Sequence, residues 1–282
     1  MQLVVVSGKG GTGKTTIASS LAHLSKARIK IDCDVDASNL HLILNGKDVE
    51  ENDFSGAKVA KIDPDICVEC SKCEDVCRFK AISKYKVDEL LCEGCGACYI
   101  ACKFGAVSLK DEITGKTIVT KDETGFISRA EMEIGAEGSG RLVTEVRQRA
   151  AKYKNDDDLV ILDGSPGIGC AVMASITGCD MALIVTEPTQ SGFEDFTRIL
   201  SVCKYFSLTP LVCINKFDIN ENITKEIEEF CNDEKIELVG KIPFDENIKR
   251  AINSMKPIVI YDSPAANEIK KVWLRIYELV RM

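Results

Sequence analysis

Histidine is nearly missing from this chain. Only His23 and His41 occur in 282 residues, both in stretches that read as helices, where a structural role is the default. Surplus positive charge is missing too. Acidic residues number 44 against 36 basic ones, a net charge of −8, so nonspecific binding to nucleic acid, which needs Lys and Arg facing phosphates, is not expected. No apolar run is long enough to span a bilayer. The N-terminus opens directly on a strand, with no charged n-region, apolar run or cleavage site, and the expectation is a cytoplasmic protein without structural disulfides. Cysteine is what the chain has in plenty. Fourteen of them, in a chain 45% hydrophobic and 28% charged, fit a reducing, oxygen-poor compartment and one α/β domain with a small insert.

Eight of the cysteines form two identical arrays. Cys67, Cys70, Cys73, Cys77 and Cys92, Cys95, Cys98, Cys102 are each spaced C-x2-C-x2-C-x3-C, offset by 25 residues. The likeness runs on: Cys77-Arg78-Phe79-Lys80-Ala81-Ile82 returns as Cys102-Lys103-Phe104-Gly105-Ala106-Val107, an internal duplication. Three cysteines on a tight loop can wrap three corners of an iron–sulfur cube, and the fourth can reach the cube held by the other half. The arrays resemble bacterial two-cluster ferredoxins. That resemblance implies two 4Fe-4S clusters with crossed ligation, one on Cys67, Cys70, Cys73 and Cys102, the other on Cys92, Cys95, Cys98 and Cys77. A zinc ribbon also uses C-x2-C pairs, but has no use for the third and fourth cysteines of each array. The chain departs from the ferredoxin pattern at Arg78 and Lys103, which stand where proline usually follows the fourth cysteine. Cations there favour the reduced, more negative clusters and would raise their potentials.

A second motif opens the chain. Gln2 to Val6 is a continuous apolar run, expected as a buried parallel strand, and it feeds into Gly8-Lys9-Gly10-Gly11-Thr12-Gly13-Lys14-Thr15-Thr16. Between a strand and a helix this is a phosphate loop: glycines let backbone N–H groups surround phosphates, Lys14 reaches the β- and γ-phosphates, Thr15 ligates Mg²⁺, and the helix directs its positive end at the anion. Arg28 to Asp32 reads as the next strand, running into Asp32-Cys33-Asp34-Val35-Asp36. Leu159 to Leu162 reads as another, closing with Asp163 and a loop Gly164-Ser165-Pro166-Gly167-Ile168-Gly169. At the carboxyl end of a parallel strand Asp163 can hold Mg²⁺ through water, and the glycine loop can sense the γ-phosphate. Met181 to Val185 and Leu211 to Ile214 are further buried-strand runs, each followed by helical periodicity.

The form G-K-G-G-T-G-K-T-T, followed by those aspartates in that order, resembles the deviant phosphate loop of the MinD, ParA, Mrp and nitrogenase-iron-protein superfamily. Lys9 is the added lysine, which in that family crosses a dimer interface to the partner's phosphates. The resemblance further implies that Asp34, with Asp36 in reserve, positions the attacking water, and that Asn215 reads the adenine edge. Lys216 and Asp218 are equally well read as loop charges. The iron protein's bridging-cluster cysteine has no counterpart here, Ser139 being the nearest residue.

Thr114-Gly115 and Glu123-Thr124-Gly125 read as turns in a hairpin that returns the chain from the insert, before Glu137-Gly138-Ser139-Gly140-Arg141-Leu142 leads into a helix. Cys170 and Cys179 are expected to be structural. Ala265 to Met282 sets Ile269, Val272, Trp273, Ile276 and Val280 at helical spacing, a domain-closing helix for which membrane binding is not expected.

The expectation is therefore a doubly wound, mostly parallel α/β nucleotide-binding domain over 1–58 and 112–282, with an α+β ferredoxin-like insert over 59–111. ATP, Mg²⁺ and two 4Fe-4S clusters are the expected cofactors, and an ATP-dependent homodimer the expected assembly. Three functions follow from the resemblance: an ATP-gated electron carrier acting on a redox partner, which is preferred, a carrier delivering clusters or metal to an apoprotein, and a positioning ATPase. No glutaminase-type domain supports amide synthesis.

Overall fold

The computed structural model of the chain describes residues 1–136 and 138–281. The expected helix lead-in at Glu137 and the terminal Met282 lie outside them. Residues Met1–Asn52, Thr117–Met132 and Glu137–Met282 form one compact unit, and Asp53–Lys116 with Glu133–Ala136 a second. The division falls outside the expected 59–111 on both sides and takes in a short later segment.

In the first unit, strand β1 (Gln2–Ser7) and helix α1 (Lys14–Ser25) lead to β2 (Ile29–Asp32), the short α2 (Leu40–Leu44) and the long β3 (Lys47–Ile62), which carries the chain out of this unit. The second unit holds α3 (Lys72–Asp75), the two-residue strands β4 (Ile82–Ser83) and β5 (Lys86–Val87), and α4 (Ala97–Ala101). The chain returns along β6 (Val107–Lys121) and β7 (Phe126–Met132). Helix α5 (Gly140–Ala151), β8 (Val160–Pro166), α6 (Cys170–Ile176), β9 (Met181–Thr186), α7 (Gln190–Tyr205), β10 (Thr209–Asn215), α8 (Glu221–Asp233), β11 (Glu237–Ile242), α9 (Asn247–Asn253) and α10 (Pro264–Arg281) complete the first.

The main sheet runs β11-β10-β9-β1-β8-β2-β7-β6-β3. Each neighbouring pair from β11 to β7 is parallel, as expected for strands buried on both faces. Leu3, Val5, Ile161, Leu183, Val185 and Leu211 pack on α1 and α10 through Ile17, Leu21, Ile269, Val272 and Ile276. The alternate residues therefore face the other side, where α5, α6 and α7 lie on the strands. Of the apolar stripe of α10, Ile269, Val272 and Ile276 are fully buried in this core and Trp273 packs against it, the domain-closing role expected of the helix, whereas Val280 is exposed.

Two turns were misplaced by sequence reasoning. Thr114-Gly115 lies within β6, where the Thr114 hydroxyl accepts from the Gly56 N–H at 3.0 Å; a Cβ on Gly56 would stand 2.6 Å from that oxygen, so the glycine marks a close strand approach. Gly164 to Pro166 extend β8, the glycine giving room to the Val5 carbonyl, and the loop begins only at Gly167, whose N–H reaches Ser7 O at 3.1 Å. The Glu123-Thr124-Gly125 turn stands between β6 and β7. It is pinned by Asp122, which pairs at 2.7 Å with the fully buried Lys30.

The second unit repeats its own backbone. Left-handed φ occurs at Glu69, Ser71 and Lys80 (59°, 60° and 54°) and again 25 residues on at Gly94, Gly96 and Gly105 (58°, 78° and 71°). Helices α3 and α4 start after the equivalent Ser71 and Gly96. Its core is small: Ala60, Cys73, Ile82, Cys98 and Val107 are buried, with Cys77, Cys92 and Cys102 packed against them.

Candidate functional site

Strand β1 lies between β8 and β9, and its successor β2 lies beyond β8, so the carboxyl end of β1 is a topological switch point. The loop from Gly8 to Gly13 leaves there. Gly8 is pressed against α7, where an added Cβ would stand 2.3 Å from Asp195 Cβ. Gly13, at φ 91°, has Asn215 Nδ2 2.5 Å from its Cβ position and starts α1. At Gly10 and Gly11 nothing lies within 4 Å, which leaves the outer side of the loop open. Thr16 lies inside the first turn of α1, its carbonyl accepting from Ser19 and Ser20.

Lys14 is buried at the head of α1, and burial lowers its pKa against the pull of Asp163, Asp34 and Asp32. These aspartates differ in how they are supported. Asp32 ends β2 opposite Asp163 in register and accepts from the Ser38 hydroxyl (2.8 Å) and the N–H groups of Asp34, Asn39 and Leu40 (3.1, 2.9 and 3.0 Å). Asp163 is equally buried, yet neither carboxylate oxygen has a hydrogen-bond partner of ordinary geometry. Burial, then repulsion from Asp32, pushes its pKa up, with Thr15 and Lys14 opposing. In this coupled pair the unsupported Asp163 is the carboxyl that resists ionising alone. An unpartnered buried carboxylate beside Thr15 and Lys14 fits a hydrated divalent cation, whose charge would relieve it. Thr12 Oγ1, also buried without a partner, faces the same need for a ligand.

Asp34 lies near enough to Lys14 that each shifts the other. Burial raises the Asp34 pKa, Lys14 lowers it and Asp36 raises it. Asp36 itself accepts from the Gly138 N–H at 2.8 Å, a loop-tying bond. Asn215 ends β10 with its Nδ2 donating to Thr12 O at 2.8 Å and its Oδ1 accepting from Lys216 N at 3.1 Å, so it buttresses the phosphate loop directly. A separate groove is lined by Lys216, Phe244, Asp245, Ile248 and Asn253, without Asn215. Lys9 folds back on its own chain, with Nζ 3.8 Å from Glu187 Oε2. Ser139 caps α5, accepting from Leu142 N at 3.3 Å. Cys170 is exposed at the start of α6, whereas burial pushes the Cys179 thiol up to about 11. Asp32, Glu187 and Asp195 were not singled out in sequence, because their roles depend on strand and helix neighbours far along the chain. The acidic run ending β2 was the one available signal.

The cysteines of the second unit line two separate small cavities, each of about 20 Å³. Cys77, Cys92, Cys95 and Cys98 line one, and Cys67, Cys70, Cys73 and Cys102 the other. The fourth cysteine of each array thus turns to the cavity of the opposite array. Backbone N–H groups point at the sulfurs: Ala81 donates to Cys77 Sγ at 3.3 Å and Ala60 to Cys92 Sγ at 3.4 Å. At Cys102 burial raises the thiol pKa, but the N–H groups of Phe104, Ala106, Val107 and Gly105 outweigh it and lower it. Among the described residues no three Cys, His, Asp or Glu side chains converge closely enough to grip a single ion. The cysteines ring a volume, as a multi-iron group requires, with donors that favour thiolate.

The family model for the CobQ/CobB/MinD/ParA nucleotide binding domain matches residues 3–258. An uncharacterized protein of Methanocaldococcus jannaschii, MJ0578, is 34% identical over 284 residues, covering 99% of this chain and 98% of that one. From the same organism, a protein named iron-sulfur cluster carrier protein is 29% identical over 142 residues, 44% of this chain and 47% of its own length. The septum site-determining protein MinD of Pyrococcus horikoshii, solved with Mg-ADP, has 22% identity and a TM-score of 0.62 over 99% of this chain and 96% of that one. The last likeness is one of fold.

Proposed function

Since the chain belongs to the CobQ/CobB/MinD/ParA nucleotide-binding family, we propose that it couples ATP-dependent homodimerisation and hydrolysis to electron transfer through two 4Fe-4S clusters. The observation that carries the iron–sulfur half is the sorting of eight cysteines into two crossed sets around two cavities of nearly equal size. Cys67, Cys70, Cys73 and Cys102 would hold one cluster and Cys77, Cys92, Cys95 and Cys98 the other, each supplying one-electron chemistry. The insert is proposed over 59–111, a span that lies within the compact unit Asp53–Lys116 with Glu133–Ala136.

In the nucleotide half, Gly8 to Gly13 offer backbone N–H groups to phosphate, and Lys14 supplies charge from a buried position that water cannot screen. Thr15 and Asp163 would hold Mg²⁺, which would neutralise charge on the phosphates. Asp34 is assigned to orient the attacking water, since it is the carboxylate of its loop that feels Lys14. Asn215 has one N–H left beyond its bond to Thr12, which supports its assignment to the adenine edge. Lys9 is assigned to the partner's phosphates.

Cluster delivery is the second reading, favoured by the similarity to a protein named as a cluster carrier. Burial of Cys73 and Cys98 favours retention instead. Anaerobic purification tests the proposal: about eight iron and eight sulfide per chain are expected, from two four-iron clusters. Stoichiometric zinc without cluster absorbance would overturn it. Cys77→Ala is expected to disturb the cluster held by Cys92, Cys95 and Cys98.

A further inference from the structure

We propose that Lys72 and Glu93 set the two cysteine cavities apart in potential, so that the one ringed by Cys67, Cys70, Cys73 and Cys102 takes the first electron and the one ringed by Cys77, Cys92, Cys95 and Cys98 is the stronger reductant. This rests on the proposed pair of 4Fe-4S clusters and gives the pair an internal direction. The duplication supplies its own control, because a residue lining one cavity can be compared with the residue 25 positions away in the other. The apolar walls match: Phe79, Ala81 and Ile82 line one cavity, Phe104, Ala106 and Val107 the other. The loops between the cysteines do not match. Ser71 and Lys72 line the Cys67 cavity where Gly96 and Ala97 line its counterpart, and Glu93 lines the Cys92 cavity where Val68 lines the first. Cysteines aside, each cavity wall thus holds one charged residue among the described residues, a cation on one side and an anion on the other, and both break the repeat.

A four-iron group on four thiolates gains negative charge on reduction, so a nearby ammonium favours the reduced form and a nearby carboxylate opposes it. Lys72 therefore raises the potential in its cavity, and Glu93 lowers it in the other. Tyr85 works with Lys72: its hydroxyl lies 3.3 Å from Ser71 Oγ in the same wall, and whichever of the two donates to the other leaves one O–H free for a sulfur. The Cys92 cavity has no hydroxyl in its wall among the described residues. Arg78 and Lys103 are equivalent across the repeat, so they do not distinguish the cavities. Glu69, Glu74 and Asp75 pull against Lys72, but none of them lines the cavity, and Glu74 Oε1 accepts from the Tyr85 N–H at 2.8 Å. Lys72 and Glu93 are both exposed, and water screens them to effects of a few-fold size. In the step they bias, one electron passes from the reduced group of the Cys92 cavity to the oxidised group of the Cys67 cavity. The first is oxidised by one electron and the second reduced by one, with no bond or proton moving.

The test is an anaerobic redox titration of the full, cluster-loaded protein, with dithionite as the one-electron donor and electron paramagnetic resonance as the readout. Lys72→Ala and Glu93→Val each give one half of the repeat the residue of the other. Wild type is expected to reduce in two steps. Repulsion between two reduced groups also separates steps, so the deciding observation is which step each variant moves. Lys72→Ala is expected to lower mainly the higher midpoint and Glu93→Val to raise mainly the lower one, each by about a three- to tenfold change in the oxidised-to-reduced ratio, tenfold being about 59 mV for one electron. The double variant should bring the steps closer than either single change, and added salt should shrink every shift. A single unresolved step in wild type, a variant that moves mainly the other step, or shifts below twofold in both variants overturns the proposal while leaving the clusters standing. Iron and sulfide counts on the same samples report the clusters separately, and their absence from wild type overturns the proposed function and this inference with it. If either variant loses iron, Lys72→Gln and Glu93→Gln must move the same steps in the same directions; no movement there also overturns the proposal.

Discussion

The nucleotide unit and the cysteine unit are held together by different means. Around β1 the first unit buries Leu3, Val4, Val5 and Val6 completely and closes both sheet faces with helices, so it can hold an unsupported carboxyl such as Asp163 at its strand ends. The second has a handful of small apolar residues and makes up its core with cysteines. A core that size falls short of offsetting chain entropy, which is the usual reason small domains need a metal or other staple. On the proposed function, one unit is built before its ligand arrives, and the other would be built by it.

The sharpest break of that comparison is iron removal. Anaerobic chelation of the intact protein is expected to collapse amide protection across 53–116 while leaving β1, β8 and β9 protected and ATP binding intact. Hydrogen exchange measured on both regions at once checks it. Equal loss in the two units, or none in either, would show that the cysteine unit is not held by its clusters.

An intermediate effect tests the opposite side, the carboxyl that the nucleotide unit buries unaided. With a folded pKa above its unfolded value, Asp163 binds a proton more tightly in the native state, so its contribution to stability falls as pH rises from the ordinary carboxylate range through the raised value. Asp163→Asn is expected to flatten that part of the profile. At neutral pH, without nucleotide or Mg²⁺, it should melt several degrees higher, at about 2–4 °C per kcal/mol for a unit of this size. ATP hydrolysis should be lost in the same variant. A wild-type melting point no lower than that of Asp163→Asn at neutral pH would mean that the carboxylate has a partner after all.

How much of this was visible in sequence follows the same divide. The phosphate loop and the cysteine arrays are contiguous, and their proposed chemistry depends on spacing along the chain, so Gly8 to Thr16 and the eight cysteines stand out as candidates without a structure. Asp32 and Asp163 face each other only because β2 and β8 pair in register, and Lys30 meets Asp122 across a sheet interior, where a lone lysine in a strand gives no hint of its partner. Thr114-Gly115 misled because a Thr-Gly pair looks the same in a turn and in a strand that needs a small residue nearby. The fold class came from strand and helix alternation. The boundaries of the units did not, since β3 and β6 run unbroken through them.

The smallest expected effect separates the two halves of the cysteine repeat. Both use left-handed backbone at equivalent places, but the second half has Gly94, Gly96 and Gly105 where the first has Glu69, Ser71 and Lys80. A side chain at such φ costs about 1–2 kcal/mol, and glycine recovers most of it against the entropy it adds to the unfolded chain, about 0.5–1 kcal/mol. Glu69→Gly and Ser71→Gly should therefore each stabilise the cluster-loaded protein slightly, by about 0.5 kcal/mol. The reverse changes are not equivalent. At Gly105 nothing lies within 4 Å of an added Cβ and at Gly96 the nearest atom is 3.4 Å away, so Ala there should carry the backbone cost alone. At Gly94 the Cβ would fall 2.1 Å from Lys58 O, so Gly94→Ala must displace β3 or the loop between Cys92 and Cys95. Loss of the cluster held by Cys77, Cys92, Cys95 and Cys98 with the other retained, read by spectroscopy on the anaerobic variant, is the expected result. Equal behaviour of Gly94→Ala and Gly105→Ala would show that backbone conformation alone, and not the approach of β3, sets the glycine requirement in this half.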